Sequence, residues 1–500
     1  MTAPTPDTVI GLDIGTTSTI GIAVRPPATI LAVASRPMRL SSPHPGWAEQ
    51  DPAEWWANAV SILKEIVNAL PGGPASLAGL CVTGMLPAVV LLDEGGSLLR
   101  ASIQQSDARV GAQVEDLKAE IDDAAFLART GNGVNQQLVA AKLRWIARHE
   151  PSIFGRIATV FGSYDYINWR LTGRRAVEQN WALEAGFTDL ASGCIADDLV
   201  ALAGIARSAV PERSVSHQRM GGVSAGAAAA TGLPEGLPVF GGAADHIASA
   251  LAAGIAAPGD VLLKFGGAGD IVVAAARARP DPRLYLDYHL VPGLYAPNGC
   301  MAASGSALNW LAELIGAEGG RERPHGALDS LAATLAPGAD GLLCLPYFLG
   351  EKTPIHDPLA RGTFIGLSLG HGKGHLWRAL LEAVAYGFRH HLEVLRDMGH
   401  APRRLLASDG GTRSTVWMRI VADILAMPLH LLDNPHGSSV GAAWVAAMGS
   451  GLAQDWSGVA ALARQGETIR PNPAHAAVYD RGYRRYRAAY EALKPVFAMD

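Results

Sequence analysis

A chain of 500 residues, 49% hydrophobic and 17% charged, is globular and too long for one core, which points to roughly two to four domains. A formal charge of −5 with no dense Lys/Arg run argues against a nucleic-acid backbone as partner. Cys81, Cys194, Cys300 and Cys344 form no CxxC pair or zinc-ligand spacing, no apolar run is long enough to cross a bilayer, and Met1–Thr8 carries no basic segment, so a reducing cytoplasm is expected and a membrane is not.

In chain order, residues 9–13 and 20–24 read as two strands around a 15–19 turn. Residues 51–70 have helical spacing, with Trp55, Ala59, Ile62, Ile66 and Leu70 on one side and Asp51-Pro52 as a helix start. Strands are predicted at 77–82 and 88–92, and helices at 139–147 and 162–171. A buried strand at 238–241 enters a Gly-rich turn, and a small-residue helix follows at 247–256. From Pro258 the pattern restarts: strand 261–264, turn 266–269, strand 271–274. A long amphipathic helix at 375–398, a strand at 404–407, a Gly-rich turn and helices at 416–426 and 440–448 complete the chain. The alternation predicts an α/β protein in two halves, residues 1–250 and 251–500.

Four turns carry candidate chemistry. In Asp13-Ile14-Gly15-Thr16-Thr17-Ser18, an acid ends a buried strand and is followed by backbone N–H groups and hydroxyls suited to phosphate oxygens. Asp13 suits Mg²⁺ held through water. In Gly241-Gly242-Ala243-Ala244-Asp245-His246, a carboxylate opens a helix, where backbone donors favour its ionised form and equip it to take a proton from an attacking hydroxyl. Gly266 and Gly267, within Lys264–Asp270, offer a second close approach to phosphate. Gly410, Gly411 and Arg413, between a strand and a helix, let an adenine or ribose lie against the backbone. Each turn has an ordinary alternative: a self-capped hairpin for the first, an N-cap for Asp245, a hairpin turn for the third, and a helix start capped by Ser414 for the fourth. Taken in order, they describe a nucleotide clamped between two domains. Trp47, Trp55 and Trp56 read as packing rather than a cofactor box. His371 and His375, with no third ligand in view, read as structural.

The chain resembles the FGGY carbohydrate kinases, within the actin-like ATPase superfamily. The resemblance is carried by Pro346-Tyr347-Phe348-Leu349-Gly350-Glu351-Lys352-Thr353-Pro354, Asp357-Pro358, Ala360-Arg361-Gly362, Gly366-Leu367 and onward through His371, Arg378, Glu382 and Ala385. It is supported by Gly46–Pro52, Leu91-Leu92-Asp93 and the 163–173 passage SYDYINWRLTG. It implies two ribonuclease-H-like domains flanking a central cleft, the first holding sugar and the second ATP. It also implies Asp245 as the catalytic base, Asp13 as the Mg²⁺-linked acid, Gly15, Thr16, Thr17, Gly266 and Gly267 as phosphate turns, and Gly410, Gly411 and Arg413 as the adenosine turn. A homodimer is the family-level expectation.

The pattern is closest to the xylulokinase subgroup, and the implied sugar side is Met85, Leu86, Asp107, Asp245 and His246. Xylulose is the acceptor implied first. Ribulose, erythritol and a non-catalytic, nucleotide-gated sugar-binding protein on the same fold are the alternatives. Four positions depart from the subgroup. Leu86 stands where it has a histidine, and His246 where it has an asparagine. Gly266-Gly267-Ala268 replaces Gly-Thr-Ser, and Gln105-Ser106-Asp107-Ala108-Arg109 keeps only the acid and the arginine of its pattern. An apolar Leu86 cannot supply an imidazole's hydrogen bond.

Overall fold

A computed structural model describes residues 6–316, 324–433 and 436–499; Met1–Thr5, the start of the opening segment read above, lie outside them. The chain separates into two compact units. The first takes the chain up to Ala256 together with Ala276–Ala296 and His436–Leu462. The second takes Ala257–Ala275, Pro297–Pro435 and the chain from Ala463. The units are therefore not contiguous halves. Close packing of a small-residue helix, Gly437–Ser450, against the first strand accounts for one of the returning segments.

In the first unit the central sheet is built from β1 (Thr8–Ile14), β2 (Ser18–Arg25), β3 (Thr29–Pro37), β4 (Leu77–Gly84), β5 (Arg219–Gly222) and β6 (Pro238–Ala244), in the order β5-β6-β4-β1-β2-β3. β1 pairs antiparallel with β2, and β2 with β3; β1, β4 and β6 run parallel. Every residue of β1 is buried, as a strand covered on both faces requires. One face of the sheet is covered by the helix Pro52–Ala69, which packs on β2 and β3. Asp51 caps it by accepting from the Ala53 N–H at 2.9 Å, and Trp55, Ala59, Ile62 and Ile66 face inward. Each of the two isoleucines contributes about 1.5–3 kcal/mol when fully buried. The other cover is Gly437–Ser450. It lies so close that a Cβ on Gly11 would sit 1.9 Å from the Ser439 carbonyl oxygen.

The second unit repeats the plan. Its strands β7 (Asp260–Phe265), β8 (Gly269–Val273), β9 (Tyr295–Met301), β10 (Arg404–Ser408), β11 (Leu429–Asp433) and β12 (Arg464–Ile469) run in the order β9-β8-β7-β10-β11-β12. β7, β8 and β9 form an antiparallel meander, and β10 and β11 add parallel to β7. The restart expected near Pro258 is thus a second copy of a three-strand meander followed by parallel strands. The long helix Lys373–Asp397 and the helix Thr415–Leu425 pack together within this unit.

Candidate active site

Strand register alone gathers the first group of residues. β6, β4 and β1 are neighbours, with Ala244 opposite Gly84 and Gly84 opposite Ile14. The three strands therefore end together, placing Asp13, Met85 and Asp245 at one carboxyl edge, where open α/β sheets bind ligands. Hydrogen bonds fix each end. Met85 N–H donates to the Ile14 carbonyl at 3.2 Å, and Ser163 Oγ to the Met85 carbonyl at 2.7 Å. Thr83 Oγ1 donates to the Ala243 carbonyl at 2.9 Å, and Asn168 Nδ2 to the Gly241 carbonyl at 2.8 Å. Gly242 has φ of 113°, and a Cβ there would lie 2.9 Å from the Tyr164 ring, so only glycine admits this route into Asp245.

Asp13 is buried, and Ser438 Oγ donates to its Oδ2 at 2.5 Å. Ser438 lies in the first turn of the helix Gly437–Ser450, whose N-terminal N–H groups and dipole favour an anion. The turn from Gly15 to Thr17 is closed by Gly15 N–H to the Ser18 carbonyl at 3.0 Å and held from behind by Gln50 Nε2, which donates to the Thr16 carbonyl at 2.7 Å. Gln50 in turn accepts from Trp55 Nε1 at 3.1 Å. The Gly46–Pro52 passage thus buttresses the turn, and Trp55 is core, as expected.

Asp245 is the first residue of the helix Asp245–Ala252, with Oδ1 accepting from the His246 N–H at 2.6 Å. The His246 ring lies between two carboxylates: Nδ1 is 3.4 Å from Asp245 Oδ1, and Nε2 is 2.9 Å from Asp287 Oδ2. Burial opposes charge on this imidazole. The hydrogen bonds and charges of Asp245 and Asp287 outweigh that and hold it well above its usual range. Burial, with the charge of Asp287 beside it, likewise holds the Glu184 carboxyl well above the carboxylate range. Asp287 and Glu184 escaped the sequence reading because they lie 41 and 62 positions from His246, in segments without motif spacing.

Of the remaining expected sugar-side positions, Leu86 stays with Met85 and Asp107 lies in a separate cluster. Met85 and Leu86 sit together in the interior, beside the Pro87 carbonyl that accepts from Lys142 Nζ at 2.8 Å. Asp107 is fully enclosed by other partners. Its Oδ1 accepts from Arg109 N–H and Nε at 3.0 and 2.8 Å, and its Oδ2 from Ala48 N–H and an Arg109 guanidinium nitrogen at 2.6 and 2.7 Å. Four donors thus meet the carboxylate, which ties the Gln105–Arg109 passage to Ala48. Arg109 lies over the Trp47 ring at 3.7 Å, which joins the Gly46–Pro52 and Gln105–Arg109 passages into one cluster.

The second group lines a cavity of about 530 Å³ within the second unit: Gly266, Gly267, Gly410, Gly411 and Arg413 all contribute to its wall. Cavities of about 300–1,000 Å³ suit molecules of nucleoside size. Leu308, Trp377, Leu381 and Trp417 supply apolar surface. Asp329 anchors one wall, accepting from Ser414 Oγ at 2.6 Å and Trp377 Nε1 at 2.7 Å. Ser414 also caps the helix Thr415–Leu425 through the Trp417 N–H at 3.1 Å, so the expected cap and the cavity wall are the same residue. Gly305 N–H and Ser304 N–H close the Gly266-Gly267 turn by donating to its two carbonyls at 2.9 and 2.8 Å. Asp329, Trp377 and Gly305 carried no turn signature and were not anticipated. His371 Nε2 faces the Asp340 carbonyl at 3.4 Å, and His375 Nε2 its carboxylate at 3.1 Å. Among the described residues, no helix is long and apolar enough to cross a membrane.

The family model described as the FGGY family of carbohydrate kinases, N-terminal domain, matches residues 8–252, and that family's C-terminal domain matches residues 268–450. The chain is similar to the crystal structure of xylulose kinase from Rhodospirillum rubrum, with 67% identity and a TM-score of 0.94 over 98% of this chain and 100% of that one. It is 29% identical to a xylulose kinase of Staphylococcus epidermidis over 98% of each chain. It is 28% identical to a xylulose kinase of Escherichia coli over 98% of this chain and 100% of the relative.

Proposed function

The chain belongs to the FGGY family of carbohydrate kinases and is an ATP-dependent sugar kinase, and on that premise we propose that its acceptor is xylulose, activated by Asp245. The observation that carries the acceptor is the 67% identity, over the full length, to a protein described as xylulose kinase.

In the proposed mechanism the sugar binds on the first unit beside Met85, Leu86 and Asp245. Asp245 takes the proton of the attacking hydroxyl while that oxygen bonds to the γ-phosphorus and the bond to the ADP oxygen breaks. The 15–17 turn and the N-terminus of Gly437–Ser450 direct N–H groups at the charge developing on the transferred group. The nucleotide's purine and ribose occupy the cavity at Gly410, Gly411 and Arg413, with Gly266 and Gly267 toward its phosphates. The all-oxygen donor set of Asp13, Thr16 and Thr17 fits Mg²⁺, which prefers oxygen ligands and, bound with the nucleotide, supplies neutralising charge. The four cysteines are all free thiols, which supports the cytoplasm as its compartment.

ADP release measured against a panel of ketoses and polyols tests the acceptor. Xylulose is expected to give the highest kcat/KM. A higher value for ribulose or erythritol would move the assignment, and binding without ADP release would turn it into a sugar-binding protein.

The nucleotide cavity makes a separate prediction. Asp329→Ala removes the acceptor for both Ser414 and Trp377, so KM for ATP should rise by about tenfold while KM for the sugar stays put. Steady-state kinetics with each substrate varied in turn checks this; a change confined to the sugar would place the nucleotide elsewhere.

A further inference from the structure

We propose that His246 is a positioning residue for Asp245: a charged imidazolium wedged between Asp245 and Asp287, with Glu184 completing the half-buried cluster, fixes the orientation of the base and keeps it ionised. The inference rests on Asp245 as the base and adds three residues to its machinery.

Geometry carries it. Both ring nitrogens of His246 face carboxylate oxygens, Nδ1 toward Asp245 and Nε2 toward Asp287. An ionised carboxylate only accepts, so satisfying both sides requires a proton on each nitrogen. If the ring swung away, Asp287, which is fully buried, would lose the His246 Nε2 contact at 2.9 Å. Asp245 Oδ1 thereby receives two contacts from the one residue, backbone N–H at 2.6 Å and ring at 3.4 Å, which restricts its side-chain rotation.

The surrounding charges give the cluster one consistent proton count. Glu184 is hydrogen-bonded to Asp287, and both its burial and Asp287's charge favour its protonated form. Glu184 then donates to Asp287, and His246 donates to Asp287 from the other side. Glu184, His246 and Asp287 have ligand-type atoms within 4.8 Å of one another. The hydrogen-bonded count satisfies all three without an ion. Lys142 faces the cluster from the helix Val139–His149. Burial pushes it down to about 7, so it adds at most a partial charge near neutrality. The groups facing His246 are thus Asp245 on its own helix, Asp287 on the strand Tyr285–Tyr288 and Glu184 at the end of the helix Gln179–Glu184, with Lys142 beyond.

The sign of the pH effect follows. His246 keeps its proton to higher pH than a free imidazole, and the positioning is lost as pH rises through that elevated value. Asp287→Asn removes the charge that holds the proton, so the alkaline limb of the kcat profile should move to lower pH. At neutral pH, kcat should fall on the order of 10- to 100-fold with KM for ATP unchanged, a smaller loss than removing the base. His246→Asn keeps a neutral donor and should abolish the shifted limb while retaining part of the rate. Thermal unfolding and ATP binding of each variant identify any that fail to fold, in which case Glu184→Gln, which preserves shape and a donor, reads the same limb. If Asp287→Asn and His246→Asn fold and keep the wild-type pH profile, the inference is overturned. If Asp245→Asn itself turns over normally, the underlying assignment of the base fails instead, and the two outcomes are distinct.

Discussion

Asp245→Asn is expected to lower kcat by about 10²- to 10⁴-fold while leaving the KM values for sugar and ATP near their wild-type values. The substitution keeps the shape of the side chain and an oxygen that can accept from the His246 N–H, which now stands 2.6 Å from Oδ1. What it removes is the negative charge that, in the proposed mechanism, takes the proton as the hydroxyl attacks. The helix start should survive, because the strand leading into it is fixed elsewhere: Thr83 and Asn168 hold the carbonyls of Ala243 and Gly241. Binding of sugar and nucleotide, measured by calorimetry, should therefore persist in a variant that hardly turns over. A variant with near-normal kcat would show that another group accepts the proton and would return Asp245 to the role of helix cap. A variant with weakened sugar binding and unchanged kcat would make it a ligand rather than a base.

The sequence exposed the parts of this site that depend on backbone shape. A strand, then glycine, then an acid or hydroxyl is a local pattern, and Asp13, Gly15–Thr17, Asp245, Gly266-Gly267 and Gly410-Gly411 each stand where their turns announced them. The fold class was legible for the same reason: strand and helix periods alternate and then restart at Pro258. Partners brought in from distant segments were not legible. Asp287 and Glu184 beside His246, and Asp329 between Ser414 and Trp377, lie on ordinary strands and helices, and nothing local marks a side chain that matters only after packing. Asp107 shows the converse. Its motif was visible, but Arg109, two residues on, and Ala48 occupy its carboxylate. The long signature from Pro346 to Ala385, which carried the family resemblance, is scaffold that is buried at its two ends and half-buried or exposed from 361 to 373. Glu351 is pushed up to about 8 by burial while accepting from Ala302 and Lys352, and Arg378 is held by Glu382 at 2.9 Å. Of that passage, Trp377 and Leu381 reach the cavity at Gly410, Gly411 and Arg413.

Gly11→Ala should be among the most destabilising single substitutions in the first unit and should reduce activity without touching a substrate. The added Cβ would stand 1.9 Å from the Ser439 carbonyl oxygen and 2.5 Å from the Ala443 nitrogen. Both obstacles are backbone atoms of the helix Gly437–Ser450, so no side chain can rotate away and the helix itself must shift. Overpacking of a core costs about 1–3 kcal/mol, and a backbone obstacle belongs at the upper end. The same shift draws Ser438 away from Asp13, where its hydroxyl now donates at 2.5 Å, and moves the helix N-terminus off the phosphate turn. Lower thermal stability and lower kcat should therefore appear together. Gly226→Ala is the control. It lies in the helix Ala225–Thr231 with nothing within 4 Å of the added Cβ, and alanine is favoured over glycine there by about 1 kcal/mol. It should leave activity unchanged and stability equal or slightly raised. If Gly11→Ala matched that control in both thermal unfolding and turnover, the close crossing of helix and strand would not be what holds Ser438 against Asp13.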